Sequence, residues 1–197
     1  MKFQTIMSRI RNLQSTVLSD NWFILRKFSF EYLNKGNVWE SQEREVYDRG
    51  NGATILLYNI KSRSIILTRQ FRLPTYVNGN NDGFLIETCA GLLDDDEPLD
   101  CIRKEMIEET GYHVDNVQKI FEAYMSPGSV TELVHFYIGE YNDAMKKSKG
   151  GGNSEEQEEI EILELSIDNA LDYIKKGLIK DGKTIMLIYH LKIQEIL

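Results

Sequence analysis

The sequence predicts an α+β fold, a mixed β-sheet core between helices with an antiparallel β extension at the N-terminus. Three observations predict it. Strand-like runs bounded by turn residues dominate, helical stretches interrupt them singly, and the first fifty residues read as a small antiparallel unit too meagre to bury its own core. With 197 residues, 42% hydrophobic and 27% charged, the chain can form one large domain or a core domain with an extension. The expected division is residues 1–50 as the extension and 51–197 as the core domain.

The elements follow in order. "NWFILRKFSFEYL" (21–33) sets Phe28, Phe30 and Tyr32 at period two, the signature of a half-exposed strand. "NKG" turns the chain into a second strand, "VWESQEREVYDRG" (38–50). So small an antiparallel unit should lean on the main body or on a second subunit. "ATILLYN" (53–59) and "SIILTRQF" (64–71) are apolar strands, and "GFLIETCAGLL" (83–93) is a third that runs into an acidic loop. Pro98 suits the first turn of a helix that runs from Leu99 to Glu109, with Gly111 as its terminating glycine. Strands follow at "VQKIFEAYM" (117–125) and "ELVHFYIGEY" (132–141). "MKKSKGGGNSEEQEE" (145–159) is basic, then glycine-rich, then acidic, as in a mobile surface loop. "IEILELS" returns to a strand, "SIDNALDYIKKGLI" is a helix capped by its serine and closed by a glycine, and "TIMLIYHLKIQEIL" is the last helix.

A formal net charge of −8 argues against binding a nucleic-acid backbone, which needs a basic footprint. A small phosphorylated substrate stays open, because a bound divalent ion inverts the local field. Cys89 and Cys101 form no CxxC pair and read as free thiols in a reducing compartment. The N-terminus lacks the continuous apolar stretch of a signal peptide, and no run approaches the ~18 apolar residues of a membrane span. The expectation is a cytoplasmic protein without a membrane partner.

"CIRKEMIEETGY" (101–112) raises the sharpest question. At about 100° per residue, Glu105, Glu108 and Glu109 share one sector of a helix. They repel one another there, in a last turn where the negative end of the helix dipole adds to the repulsion. Either they form a solvated charged face, or a hard divalent cation resolves the conflict.

The flanking residues resemble the Nudix box, in which a glycine and a glutamate precede Arg-Glu-aliphatic-x-Glu-Glu-x-Gly. Gly91 and Glu97 keep the first spacing, and "KEMIEETGY" (104–112) supplies the second half with Lys104 in the arginine position. Six residues separate Glu97 from Lys104, one fewer than the pattern. A residue lost inside the helix would rotate all that follows by about 100°, so the acidic loop Asp94–Pro98 is expected to absorb it. "LSDNWF", "REVYDRGNGATILLYN", "RQFR", "VNGN", "CIRKE", "MSPG" and "DGKT" resemble the GDP-mannose pyrophosphatase branch, close to the ADP-ribose pyrophosphatases.

The resemblance implies metal-assisted hydrolysis of the pyrophosphate of a nucleoside-diphosphate sugar, GDP-mannose giving GMP and mannose 1-phosphate. The alternatives are an ADP-ribose pyrophosphatase giving AMP and ribose 5-phosphate, and a non-catalytic nucleotide-sugar-sensing module. It implies Mg²⁺, or Mn²⁺, on Glu105, Glu109, Glu158 and the carbonyl of Ala90. Glu108 is implied as a partial ligand with a catalytic role, and Glu156 as the general base. Substrate contacts are implied for Trp22, Arg44, Glu45, Arg72, Ala90, Gly91, Leu92, Glu132, Glu158 and Lys183. "KGGGNS" would let the acidic loop close as a lid, and a homodimer with shared active sites is implied.

Overall fold

The computed structural model describes residues 8–153 and 158–197. The chain divides into two compact units: residues up to Gly50 with Ser126–Glu132, and Asn51–Met125 with Leu133–Leu197.

The first unit is a three-stranded antiparallel sheet of β1 (Ile10–Asp20), β2 (Ile24–Leu33) and β3 (Trp39–Asp48), in that order. Strands β2 and β3 match the sequence expectation, whereas β1 was not anticipated. Its period-two pattern is broken by register shifts between Arg11 and Gln14 and between Val17 and Ser19, and by Asn12 in the left-handed region at φ 54°. Such interruptions hide alternation from a pattern search. Ser126–Glu132 lies along the end of β3, where Tyr47 N–H donates to the Ser129 carbonyl at 2.8 Å and Thr131 N–H to the Tyr47 carbonyl at 3.1 Å. No described residue of this unit is buried, so it contributes a sheet without a core of its own.

The second unit is built on a mixed sheet. Its strands are β4 (Gly52–Asn59), β5 (Ser64–Phe71), β6 (Phe84–Glu87), β7 (Cys89–Leu92), β8 (Val117–Tyr124), β9 (Leu133–Glu140) and β10 (Glu161–Ser166). The main order is β10-β5-β4-β9-β8, with β6 paired to β5 and β7 to β4. Only β4 and β9 run parallel among the described pairs. The helices are α1 (Leu73–Val77), α2 (Pro98–Glu105), α3 (Ile167–Lys175) and α4 (Gly182–Ile193).

Alternation along the central strands divides the core into two layers. Leu56, Ile65, Leu67, Phe136 and Ile138 face α3 and α4, packing on Ile167, Ala170, Leu187 and Leu191. Ile55, Leu57, Ile66 and Tyr137 face the other way, onto Cys101, Ile102 and Met106. A sheet covered by helices on both sides is the expected α+β architecture. Ser166 caps α3 by accepting from Asn169 N–H at 3.2 Å, as the sequence predicts.

The single strand expected over 83–93 breaks at Thr88. Its N–H donates to the Thr184 hydroxyl at 2.7 Å, and Thr54, Thr88 and Cys89 are joined by buried bonds of 2.8 and 2.9 Å through the Thr54 hydroxyl. This break transfers the chain from β5 to β4 and ties it to the start of α4.

Candidate active site

The acidic loop leads from β7 into α2. A turn closes it through Asp96 N–H and the Leu93 carbonyl at 2.7 Å, and Asp94 takes a left-handed φ of 46°. Helix α2 then starts at Pro98 and buries Cys101 and Ile102. Its continuation, Met106–Thr110, widens into a π-turn that ends at Gly111 with φ 77°. Such widened turns often mark functional positions.

Burial divides the three carboxylates that the spacing was expected to place in one sector. Glu109 is 1% exposed, Glu105 is half-buried and Glu108 is exposed. Glu105 rests against β7, and a methyl group on Gly91 would come within 2.2 Å of its carboxylate. The glycine of the motif is therefore a space requirement. Burial pushes Glu109 up to about 8; the Cys89 thiol and Arg72 oppose this, and the Glu105 and Glu158 carboxylates reinforce it.

Beside this pair lies a buried ion network. Glu87, 2% exposed, accepts from Arg72 Nε at 2.8 Å and Nη2 at 3.2 Å, a bidentate clamp. It also accepts from Lys183 Nζ at 2.6 Å, and Lys183 pairs with Asp181 at 3.1 Å. Burial opposes the charge of Glu87, yet Lys183 and Arg72 hold its carboxyl below the usual range. Burial likewise opposes the charge of Lys183, and Glu87 and Asp181 outweigh it. Arg72 also feels the Glu109 charge, which places the two groups in one electrostatic neighbourhood.

The second unit thus gathers Arg72, Ala90, Gly91, Glu105, Glu109, Glu158 and Lys183. Leu92 contributes its carbonyl to the Cys101 thiol at 3.2 Å. Glu156 lies outside the described residues. Trp22, Arg44, Glu45 and Glu132 belong to the first unit. There Trp22 is 86% exposed, Arg44 bonds to the Glu43 carbonyl and to Gln42, Glu45 stands opposite Lys27, and Glu132 lies 3.6 Å from Arg49. Both cysteines are free and buried, and burial raises both thiols.

Glu87 is not among the residues expected from the sequence. The available signal was a lone charge inside the apolar run "FLIETCAG", where a buried carboxylate needs partners.

The residues fit a hard divalent cation. Glu109 Oε2 is buried without a hydrogen-bond partner, an orphaned oxygen of the kind an ion satisfies. Among the described residues no three His, Cys, Asp or Glu side chains converge on one point. The Glu105–Glu109 pair would therefore need the Ala90 carbonyl and water to complete a shell of oxygens.

A model of the NUDIX domain matches residues 48–183, and a model of the GDP-mannose pyrophosphatase NudK N-terminal domain matches residues 9–47. The chain is 57% identical to the GDP-mannose pyrophosphatase of Salmonella typhimurium over 180 residues, 91% of this chain and 93% of that protein. It is 57% identical to the one of Citrobacter koseri over 183 residues, 93% and 95% of the two chains. With the one of Shigella flexneri it shares 54% identity over 189 residues, 96% and 98% of the two chains.

Proposed function

The chain belongs to the Nudix family, and from that premise we propose that it hydrolyses GDP-mannose to GMP and mannose 1-phosphate. The observation that carries this reading is the orphaned, buried Glu109 oxygen next to Glu105 and in the field of Arg72. Identity of 57% over 91% of the chain to a GDP-mannose pyrophosphatase supports the choice of substrate.

In this reaction water adds to one phosphorus and the bridging oxygen leaves with the other. Glu105, Glu109 and the Ala90 carbonyl would hold Mg²⁺, or Mn²⁺, with Glu158 as a further ligand and Glu108 as a partial one once the ion draws them together. When bound there, such an ion would polarise phosphoryl oxygens and lower the pKa of a water. Arg72 and Lys183, both fixed by Glu87, supply positive charge for the diphosphate. Guanidinium suits it because its paired N–H groups match phosphate oxygens. Gly91 and Leu92 carry the backbone past the phosphates, Glu156 takes the proton of the attacking water, and Trp22, Arg44, Glu45 and Glu132 contact the nucleotide sugar.

We also propose a homodimer with shared active sites. It is supported by a first unit that buries none of its described residues yet exposes Ile10, Leu13, Val17 and Leu18. A cytoplasmic setting accords with two free thiols. No described helix is long and apolar enough to cross a membrane.

The test is phosphate release in a phosphatase-coupled assay from GDP-mannose and ADP-ribose, with Mg²⁺, with EDTA, and with Glu109→Gln. The expected result is metal-dependent turnover of GDP-mannose that the variant lacks. Faster turnover of ADP-ribose would move the protein to the neighbouring branch. Binding without turnover of either would make it a sensing module.

A further inference from the structure

The glycine run before the acidic loop is docked onto the end of the carboxylate helix. Lys147 and Ser148 N–H groups donate to the Gly111 carbonyl at 2.7 and 3.2 Å, Gly151 N–H to the Glu109 carbonyl at 2.9 Å, and Gly152 N–H to the Glu108 carbonyl at 3.3 Å. These bonds satisfy carbonyls that a helix end otherwise leaves open.

From this geometry we propose that Gly150–Gly152 is a positioning clamp that sets Glu158 beside Glu109, a role that rests on the reading of Glu158 as a metal ligand. Three features require glycine there. All three residues have left-handed φ, 66°, 110° and 81°. A methyl group on Gly150 would come within 2.5 Å of the Glu109 carbonyl oxygen. One on Gly152 would come within 2.9 Å of both Cβ and Oε2 of Glu158. Gly151 is the junction: its N–H holds the helix, and its carbonyl accepts from Ile160 N–H at 3.2 Å. Between these two anchors Glu158 is fixed by its own N–H to the Asn153 carbonyl at 3.2 Å and by its Oε2, which accepts from Asn153 N–H at 3.3 Å.

The outcome is a carboxylate held against Gly152, whose own N–H bonds the Glu108 carbonyl, and close enough to Glu109 to oppose its ionisation. A segment that served only to cap the helix would have no cause to deliver one there. The clamp also changes the meaning of the glycines: they confer close approach on an anchored segment instead of the motion expected of a lid.

The experiment is Mn²⁺ binding to the metal-stripped full chain, followed by electron paramagnetic resonance. The arms are wild type, Glu158→Gln, Gly152→Ala, the double variant, and Gly177→Ala. Gly177 is also left-handed, at φ 68°, and its nearest neighbour is an ordinary 3.7 Å away, so Gly177→Ala reports backbone strain alone. Glu158→Gln and Gly152→Ala are each expected to weaken Mn²⁺ by roughly tenfold to a hundredfold, the range for groups supporting a metal ligand. The double variant should be no weaker than Glu158→Gln, and Gly177→Ala should keep wild-type affinity with a lower Tm. Wild-type affinity in Gly152→Ala, with loss in Glu158→Gln, would overturn the clamp and leave the ligand reading standing. Wild-type affinity in Glu158→Gln would overturn both. Independently of whether any variant folds, Gly151 and Gly152 amides should be protected from hydrogen exchange in metal-free wild type. Exchange at an open-loop rate would refute the clamp.

Discussion

Glu87→Gln removes one charge and almost no volume from the buried network, and its cost follows from the partners left behind. Breaking a fully buried ion pair from one side costs about 3–5 kcal/mol, because the abandoned charge stays desolvated. Two features lower that figure here. Lys183 keeps Asp181 at 3.1 Å, and the Arg72 side chain is 39% exposed, so water screens its loss. The expected destabilisation is about 2–3 kcal/mol. At about 2–4 °C per kcal/mol for a chain of this size, Tm should fall by roughly 5–10 °C. The carboxyl of Glu87 lies below its ordinary value of 4.5, so its contribution is fully present above that value and is lost as pH falls through the lower folded one. Urea unfolding of metal-free wild type and variant should therefore differ at pH 7 and converge in acid. Glutamine also offers Arg72 one acceptor where the carboxylate offered two, so KM for GDP-mannose should rise by about tenfold, the equivalent of 1.4 kcal/mol. A stability loss under about 0.5 kcal/mol at pH 7, or a difference that persists in acid, would refute the account of Glu87 as the common counter-ion.

Glu109 should show the opposite pH dependence. Its carboxyl is raised to about 8, so stability of the metal-free protein falls as pH rises from about 4.5 towards 8. The total is several kcal/mol at most, and Glu109→Gln, inactive, should be the more stable protein in EDTA at pH 8. Gly91→Ala meets the Glu105 side chain from Cγ to the carboxylate. It should lower kcat/KM by about a hundredfold through the displaced carboxylate, the upper range for disturbed metal support, while Tm measured by calorimetry changes little. Tyr141→Phe removes a hydroxyl that bonds Ser64 and Glu164, each at 2.7 Å. It should cost about 1–2 kcal/mol in urea unfolding and leave steady-state turnover unchanged.

Much of the core domain is legible because its strands obey one physical rule throughout. Ile55 and Leu57 against Leu56, or Ile65 and Leu67 against Ile66, sort to opposite faces by period two alone. β1 escapes that rule because its register slips twice, and the break at Thr88 because its cause, Thr184, stands 96 residues away. Local pattern carries no record of such a partner. The π-turn was hidden for a related reason: "MIEET" has the composition of an ordinary helix, and only the folded structure shows which of its carboxylates is buried.

The glycines make the division sharper. Gly91, Gly111 and Gly152 are the same letter, and a motif search weighs two of them and ignores the third. In the fold each is a place where a methyl group would collide, with the Glu105 carboxylate at 2.2 Å, the Ser148 carbonyl oxygen at 2.3 Å and Glu158 at 2.9 Å. Two of those three contacts are with acidic side chains assigned to the metal. Charge shows in the sequence which residues can hold a cation, but the distance between them is set by what the backbone leaves out. If that is right, alanine at Gly91 and Gly152 should impair metal binding by displacing Glu105 and Glu158, with every carboxylate still in the sequence. Alanine at Gly177, where nothing approaches closer than 3.7 Å, should cost stability alone.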